Sequence, residues 1–164
     1  MPPFTLRNYA EPDRTLVNAL ALEAFEQFKH EYDDWPTFRS KISDMAALAG
    51  SGEIIVATLG ERLIGAVAYV GPDKPKATFF RPEWPIMRML VVSPSARGLG
   101  VGRALAEECL RLARRDHAKH FALHTSPIMS VALPMYLRMG FQLHANVPPI
   151  HGVEYNVYIK EFDA

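Results

Sequence analysis

Apolar residues recur along this chain with two periods, and the switches between them predict its elements. Residues 5–9 make a short first strand, broken by Glu11, Pro12 and Asp13, of which Asp13 suits a helix N-cap. Over residues 15–30, Leu16, Leu20, Ala24 and Phe28 return at helical spacing, flanked by Val17, Ala21 and Phe25. A second helix is predicted over residues 36–48, with Pro36 in its first turn and Gly50 beyond its end. Two runs rich in β-branched residues, 54–59 and 63–70, flank Gly60-Glu61-Arg62 and read as a hairpin. The proline-rich stretch 71–85 is a loop that carries Phe79, Phe80 and Trp84. A strand over 86–94 ends at Pro94. A helix over 101–117 follows, with Val101, Leu105, Cys109 and Leu112 on one face. Next come a strand over 120–127 and a short helix around Pro134 and Tyr136, stopped by Gly140. Strands are predicted over 141–145 and 153–160, joined by a loop over 146–152. In the last strand Val153, Tyr155, Val157 and Ile159 alternate with polar or amphipathic residues, which reads as half-buried. The order predicts an α/β layered domain with a mixed sheet, spanning residues 1–164 as one unit.

Composition narrows the function classes. Lys plus Arg and Asp plus Glu both number 18, so no global field draws the chain to nucleic acid. Cys109 is the single cysteine, which excludes an intrachain disulfide and fits a reducing compartment. The first residues lack a basic segment followed by an apolar one, and no apolar run reaches membrane-spanning length. The expectation is a soluble, cytoplasmic protein with no nucleic-acid or membrane partner; a homodimer is compatible with it. No His, Cys, Asp or Glu spacing suits a metal.

The candidate chemistry centres on "RGLGVGRAL", where Gly98, Gly100 and Gly102 lie between a strand and a helix. A helix opening at a glycine turn offers free N–H groups and the positive end of its dipole to an anion. A P-loop would need Lys-Ser or Lys-Thr after the glycines, and none follows. A dinucleotide fingerprint counted from Gly98 would need a glycine where Arg103 stands. What remains is R-x-x-G-x-G, formed by Arg97, Gly100 and Gly102.

With this loop, the preceding strand "MLVVSP", the following strand "FALHTS" and the downstream "MYLRMGF", the chain resembles the GCN5-related N-acetyltransferase superfamily over about residues 86–141. The resemblance implies a central mixed, mostly antiparallel sheet flanked by helices, with a splayed strand pair at the cofactor site. It implies acetyl-CoA as co-substrate and an amine as acceptor, a small molecule or a peptide. The CoA pyrophosphate would lie on the backbone amides of Gly98, Leu99, Gly100, Val101, Gly102 and Arg103, with Arg97 adding charge. The pantetheine would pair with the backbone of Leu90, Val91 and Val92, beside Thr125 and Met129. An N–H near Val92 would polarise the thioester carbonyl, an effect typically worth about 3 kcal/mol. Tyr136 matches the family tyrosine that faces the CoA sulfur, as general acid or thiolate stabiliser. Full proton transfer from an unperturbed phenol to a thiolate is uphill by roughly 2 kcal/mol, so a strong hydrogen bond is the favoured form.

Two positions depart from the family pattern. The strand that often carries a glutamate base holds Met87, Arg88 and Met89, with no carboxylate. Glu83 and His124 are the base candidates in its place, followed by His144 and His151; a water chain to bulk is the alternative. Seven residues before the tyrosine, where many relatives have asparagine, this chain has Met129; Thr125, Ser126 and Ser130 are the substitutes at hand. Cys109, on a helix face, reads as core. Phe25, Phe28, Tyr32, Trp35, Phe80 and Trp84 are candidates to shape an acceptor pocket suited to an amine with apolar bulk, or to a cation over a ring. The expected reaction is direct acetyl transfer in a ternary complex. Its rivals are a non-catalytic acyl-CoA-binding module with the same fold, and transfer of a longer acyl group or to a hydroxyl.

Overall fold

The computed structural model describes residues 3–162. Seven strands form one sheet in the order β1-β2-β3-β4-β5-β7-β6: β1 (Thr5–Asn8), β2 (Glu53–Leu59), β3 (Arg62–Val70), β4 (Ile86–Val92), β5 (His120–Thr125), β6 (Gln142–Ile150) and β7 (Val153–Glu161). Every neighbouring pair is antiparallel except β4 and β5. Those two run parallel and meet in register at one pair, Ile86 with Ala122, before they part. The mixed, mostly antiparallel sheet and its splayed pair are as expected.

Helices cover both faces. On one face α3 (Val101–Arg115) buries Val101, Leu105, Cys109 and Leu112, the stripe its 3.6-residue spacing predicts. It lies so close to β3 that a Cβ on Gly65 would sit 2.6 Å from Val101 Cγ1 and 3.1 Å from Leu105 Cδ1. The short α4 (Ala132–Arg138) adds Met135 and Tyr136 to the same cluster, with Phe121 and Phe141. On the other face α1 (Arg14–Glu26) packs with the turn 45–50 against Val56, Ala66, Ala68 and Val91. Beside it α2 (Trp35–Ile42) closes an aromatic cluster of Tyr32, Phe38 and Tyr155.

Four expectations are corrected. α1 buries Val17, Leu20, Ala21 and Ala24, while Leu16 is 53% exposed, so the inward face is turned by one position. Both early helices are shorter than predicted and continue as 3-10 turns, at 29–31 and 45–50. The predicted loop 146–152 is mostly strand: Asn146, Val147 and Ile150 pair with β7 across register shifts, and Pro148 and Pro149 occupy the outer edge. An edge strand tolerates prolines because its outward N–H groups have no ladder partner to lose. β7 is not half-buried. It lies between β5 and β6, and its alternate residues Asn156 and Tyr158 are also buried.

Candidate functional site

The site begins at a fault in β4. Arg88 pairs with Ala68 and Val91 with Ala66, so Met89 and Leu90 together face Val67. Met89 takes φ +53, a left-handed conformation that costs a side-chain-bearing residue about 1–2 kcal/mol. The extra residue is a β-bulge, which bends the strand and frees local backbone groups from the ladder. It falls three residues beyond the β4–β5 pair at Ile86, so the segment after Met89 runs on with no partner from β5.

After β4 the chain turns tightly. The Ser93 N–H donates to the Ile64 carbonyl at 2.8 Å, and residues 94–96 form a 3-10 turn. Gly98 (φ +84) and Gly100 (φ +83) then take left-handed conformations into α3. Among the described residues no backbone carbonyl accepts from the N–H groups of Gly98 to Arg103; Ala104 is the first to donate, to Gly100 at 3.0 Å. A row of free amides therefore stands at the positive end of a four-turn helix.

These amides edge a cleft of about 520 Å³. Leu90, Val91 and Val92 line one part of it, and Arg97, Gly98, Gly100, Val101, Gly102 and Arg103 another. Met129, Ser130 and Met135 form the far wall, and Phe25, Gln27 and Phe28 of the α1 end face it. The Arg97 guanidinium donates to the Gln27 side-chain oxygen, tying the loop to α1, while Arg103 pairs with Glu107 at 2.8 Å. Leu99 is exposed and outside this lining. Ser126 is fully buried, accepting from the Ile128 N–H at 3.3 Å, which leaves Ser130 as the hydroxyl beside Met129.

A second pocket of about 380 Å³ continues from the first. Phe25, Leu90, Met129 and Ala132 belong to both, so the two meet at the bulge. Thr125 and Tyr136 line this second pocket. Tyr136 is only 5% exposed and packs edge-on to Phe141, with centroids 5.8 Å apart. Burial pushes its phenol well above the ordinary range, so it keeps its proton and has an O–H to donate. Among the described residues its hydroxyl has no hydrogen-bond partner.

The base candidates separate. His124 and His151 line the second pocket. His124 lies against Phe79, Phe80 and Tyr155, and burial, aided by the nearby Arg88 charge, pushes its imidazole down to about 4. It is neutral near pH 7 but a weak base there. Glu83 and His144 are elsewhere: both line a separate cavity with Trp84 and His120, and Glu83 is exposed and paired with Arg81 at 3.8 Å. The proline-rich loop turns its acidic residue away from the cleft, so Glu83 is no base for it. Phe80 and Trp84 are likewise corrected; they are buried with Val70, Ile86 and Val157 as core. Burial also pushes the Cys109 thiol up, which suits packing and not nucleophilic attack.

The second pocket also holds residues that the sequence reading did not single out for it: Phe38, Lys41, Ile42, Arg88 and Ile150. Phe38 stacks on Tyr32 at 4.2 Å, and the Tyr32 and Tyr155 hydroxyls share a short hydrogen bond behind it. Arg88 was visible as the one charge in "IMRMLVV". Its side chain is exposed, and partial loss of the surrounding water draws its guanidinium below the usual value.

A family model described as Acetyltransferase (GNAT) family matches residues 15–141. A curated relative, N-acetyltransferase 8F1 of Rattus norvegicus, is 33% identical over 105 residues, covering 61% of this chain and 46% of its own. The chain spans about half the length of the curated relatives it matches. The fold matches that of histone acetyltransferase HPA2 and related acetyltransferase from Corynebacterium glutamicum, with TM-score 0.78, 21% identity, and 98% and 97% of the two chains covered. It also matches yncA from Salmonella typhimurium, solved with acetyl-CoA as its cofactor, with TM-score 0.69, 15% identity, and 98% and 95% covered. No helix among the described residues is long and apolar enough to cross a membrane. With a family model matching more than three quarters of its length, the chain belongs to the GNAT acetyltransferase family.

Proposed function

We propose that this chain is a single-domain, acetyl-CoA-dependent N-acetyltransferase, acting in the cytoplasm on an amine by direct transfer. The observation that carries the reading is the junction of two cavities at the β4 bulge, one edged by free amides and the other reaching Tyr136. The residues suit the co-substrate. Amides of Gly98 to Arg103 would hold the pyrophosphate, and Gly102 leaves space that a side chain would take between Leu90, Val92 and Met135. The bulged backbone of Leu90 to Val92 would pair with the pantetheine and offer an N–H to the thioester oxygen. Acetyl-CoA supplies an acyl thioester. The amine nitrogen bonds to the acetyl carbon as the carbon–sulfur bond breaks. Of the two protons an ammonium sheds, one goes to solvent and one ends on the departing thiolate. Tyr136, held protonated by burial, is the donor toward that sulfur.

The absence of any carboxylate from the lining of either cavity favours the rival reading of a non-catalytic acyl-CoA-binding module. One experiment separates them: calorimetric titration with acetyl-CoA, then an amine panel with detection of released thiol. Binding with turnover supports the enzyme, binding without turnover the module, and no binding overturns both.

A further inference from the structure

Arg88 is the feature of the second pocket that the acetyltransferase reading leaves unexplained. Its guanidinium forms no ion pair or hydrogen bond among the described residues. The other charged or titratable groups lining this pocket are Lys41, His124, His151, Tyr136 and Tyr155; no Asp or Glu is among them. Arg88 is exposed, so water meets its charge in the free protein; an acceptor that covers the pocket displaces that water and has to return an opposite charge in its place. The wall would also repel a simple amine, which arrives as an ammonium. A site built for a bare diamine would carry carboxylates here. Apart from the Thr125 hydroxyl the rest of the surface is apolar, with Phe25, Phe38, Ile42, Met89 and Ile150 prominent in it.

Resting on the acetyltransferase reading, we propose that the acceptor is an amine that also carries a carboxylate, which docks on Arg88 while an apolar side group lies among Phe25, Phe38 and Met89. The simplest member of this class is an apolar α-amino acid. Guanidinium and carboxylate match as a two-point fork, the strongest form of such a contact. Arg88 precedes by two residues Leu90, which belongs to both cavities, so a carboxylate held there leaves the neighbouring amine facing the junction. A pocket of about 380 Å³ is at the small end for ligand sites and fits one such molecule. The carboxylate would also offset the Arg88 charge that helps hold the His124 imidazole low, moving that base toward its working range.

The test compares L-phenylalanine, L-phenylalaninamide and phenethylamine as acceptors with acetyl-CoA, following thiol release and acetylated product. The expected kcat/KM for phenylalanine exceeds that of both analogues, which lack the carboxylate, by about tenfold or more, the scale of one charge-assisted contact. In Arg88→Met the ratio of phenylalanine to phenylalaninamide falls to near one, chiefly through KM, and Arg88→Lys restores part of it. Unchanged acetyl-CoA affinity shows that Arg88→Met is folded. Equal use of the three acceptors, or a ratio that survives Arg88→Met, overturns the proposal. If acetyl-CoA binds and nothing is acetylated, the enzymatic reading is what fails. Arg88 is then tested by binding N-acetyl-L-phenylalanine against its amide to the CoA-loaded protein: a carboxylate preference lost in Arg88→Met supports the site, and no preference overturns it.

Discussion

Gly100→Ala and Gly102→Ala, two residues apart in one loop, have opposite expected effects on stability. At Gly100, φ is +83 and a Cβ would meet nothing within 4 Å, so the penalty is purely conformational. A left-handed alanine costs about 1–2 kcal/mol. For a domain of this size each kcal/mol lowers Tm by roughly 2–4 °C. At Gly102 the backbone is helical, and a Cβ would sit 3.7 Å from Val92 Cγ2 and 3.9 Å from both Leu90 Cδ2 and Met135 Sδ. Those are ordinary contacts, and alanine is the better helix former by up to about 1 kcal/mol. Gly102→Ala is therefore expected to fold with an equal or higher Tm. Yet all three contacts line the cleft, so the methyl occupies space beside the amide that the pyrophosphate would approach. Loss of one charge-assisted hydrogen bond is worth about 1.5–3 kcal/mol, or roughly a 10–100-fold rise in Kd for acetyl-CoA. Thermal melts with calorimetric titration read both quantities. A Gly102→Ala protein that melts at or above the wild-type temperature and binds acetyl-CoA with unchanged Kd would refute the close-approach cradle.

Other outcomes follow from the same geometry. Tyr136→Phe is expected to slow single-turnover acetyl transfer at least tenfold while leaving acetyl-CoA affinity within about twofold, because a phenol facing the sulfur acts only as the bond breaks; an unchanged single-turnover rate removes Tyr136 from the chemistry. Gly65→Ala forces a Cβ to within 2.6 Å of Val101 Cγ1, and urea denaturation is expected to show about 1–3 kcal/mol of lost stability from overpacking, with no loss meaning that α3 shifts freely. For His124, the folded imidazole lies near 4 and the unfolded one near 6.5. Between these the unfolded chain binds more protons, so stability rises with pH by up to about 1.4 kcal/mol per unit and is lost as pH falls through the window. His124→Gln should flatten that slope in denaturation midpoints taken from pH 4 to 7; an unaltered slope would show that His124 is not the group responsible.

The legible parts of this chain are those where local pattern and chemistry coincide. The stripe of Val101, Leu105, Cys109 and Leu112 foretold the packing of α3, and the alternating glycines foretold a turn opening that helix, which Gly98 and Gly100 make in the left-handed region. The acceptor side was harder because it is assembled from α1, α2, β4, β5 and the β6–β7 turn, which only the sheet order brings together. Glu83 looked available because it is near β4 in sequence, but Trp84 anchors the loop in a different core and carries Glu83 away with it. Pro148 and Pro149 argued for a loop, and nothing local to them shows that this segment is the outer edge of the sheet, where prolines are tolerated.

The bulge in β4 explains why "IMRMLVV" does not alternate. Met87 packs into the α3 cluster, and Arg88 lies on the opposite face with His124. Strict alternation would send Met89 and Val91 toward α3, and Leu90 and Val92 toward α1. The reverse holds: Met89 and Val91 pack on the α1 side, Leu90 and Val92 on the α3 side. A one-residue slip exchanges the two faces of a strand, and left-handed Met89 supplies that slip in mid-strand. Both halves can then be apolar where each meets a helix, although the run as a whole fits neither a helix nor a regular strand. The bulge lies beyond the β4–β5 pair at Ile86, with Arg88 before it in the acceptor pocket and Leu90 to Val92 after it in the amide-edged cleft. Strain of about 1–2 kcal/mol at one residue thus separates the two halves of the proposed reaction centre.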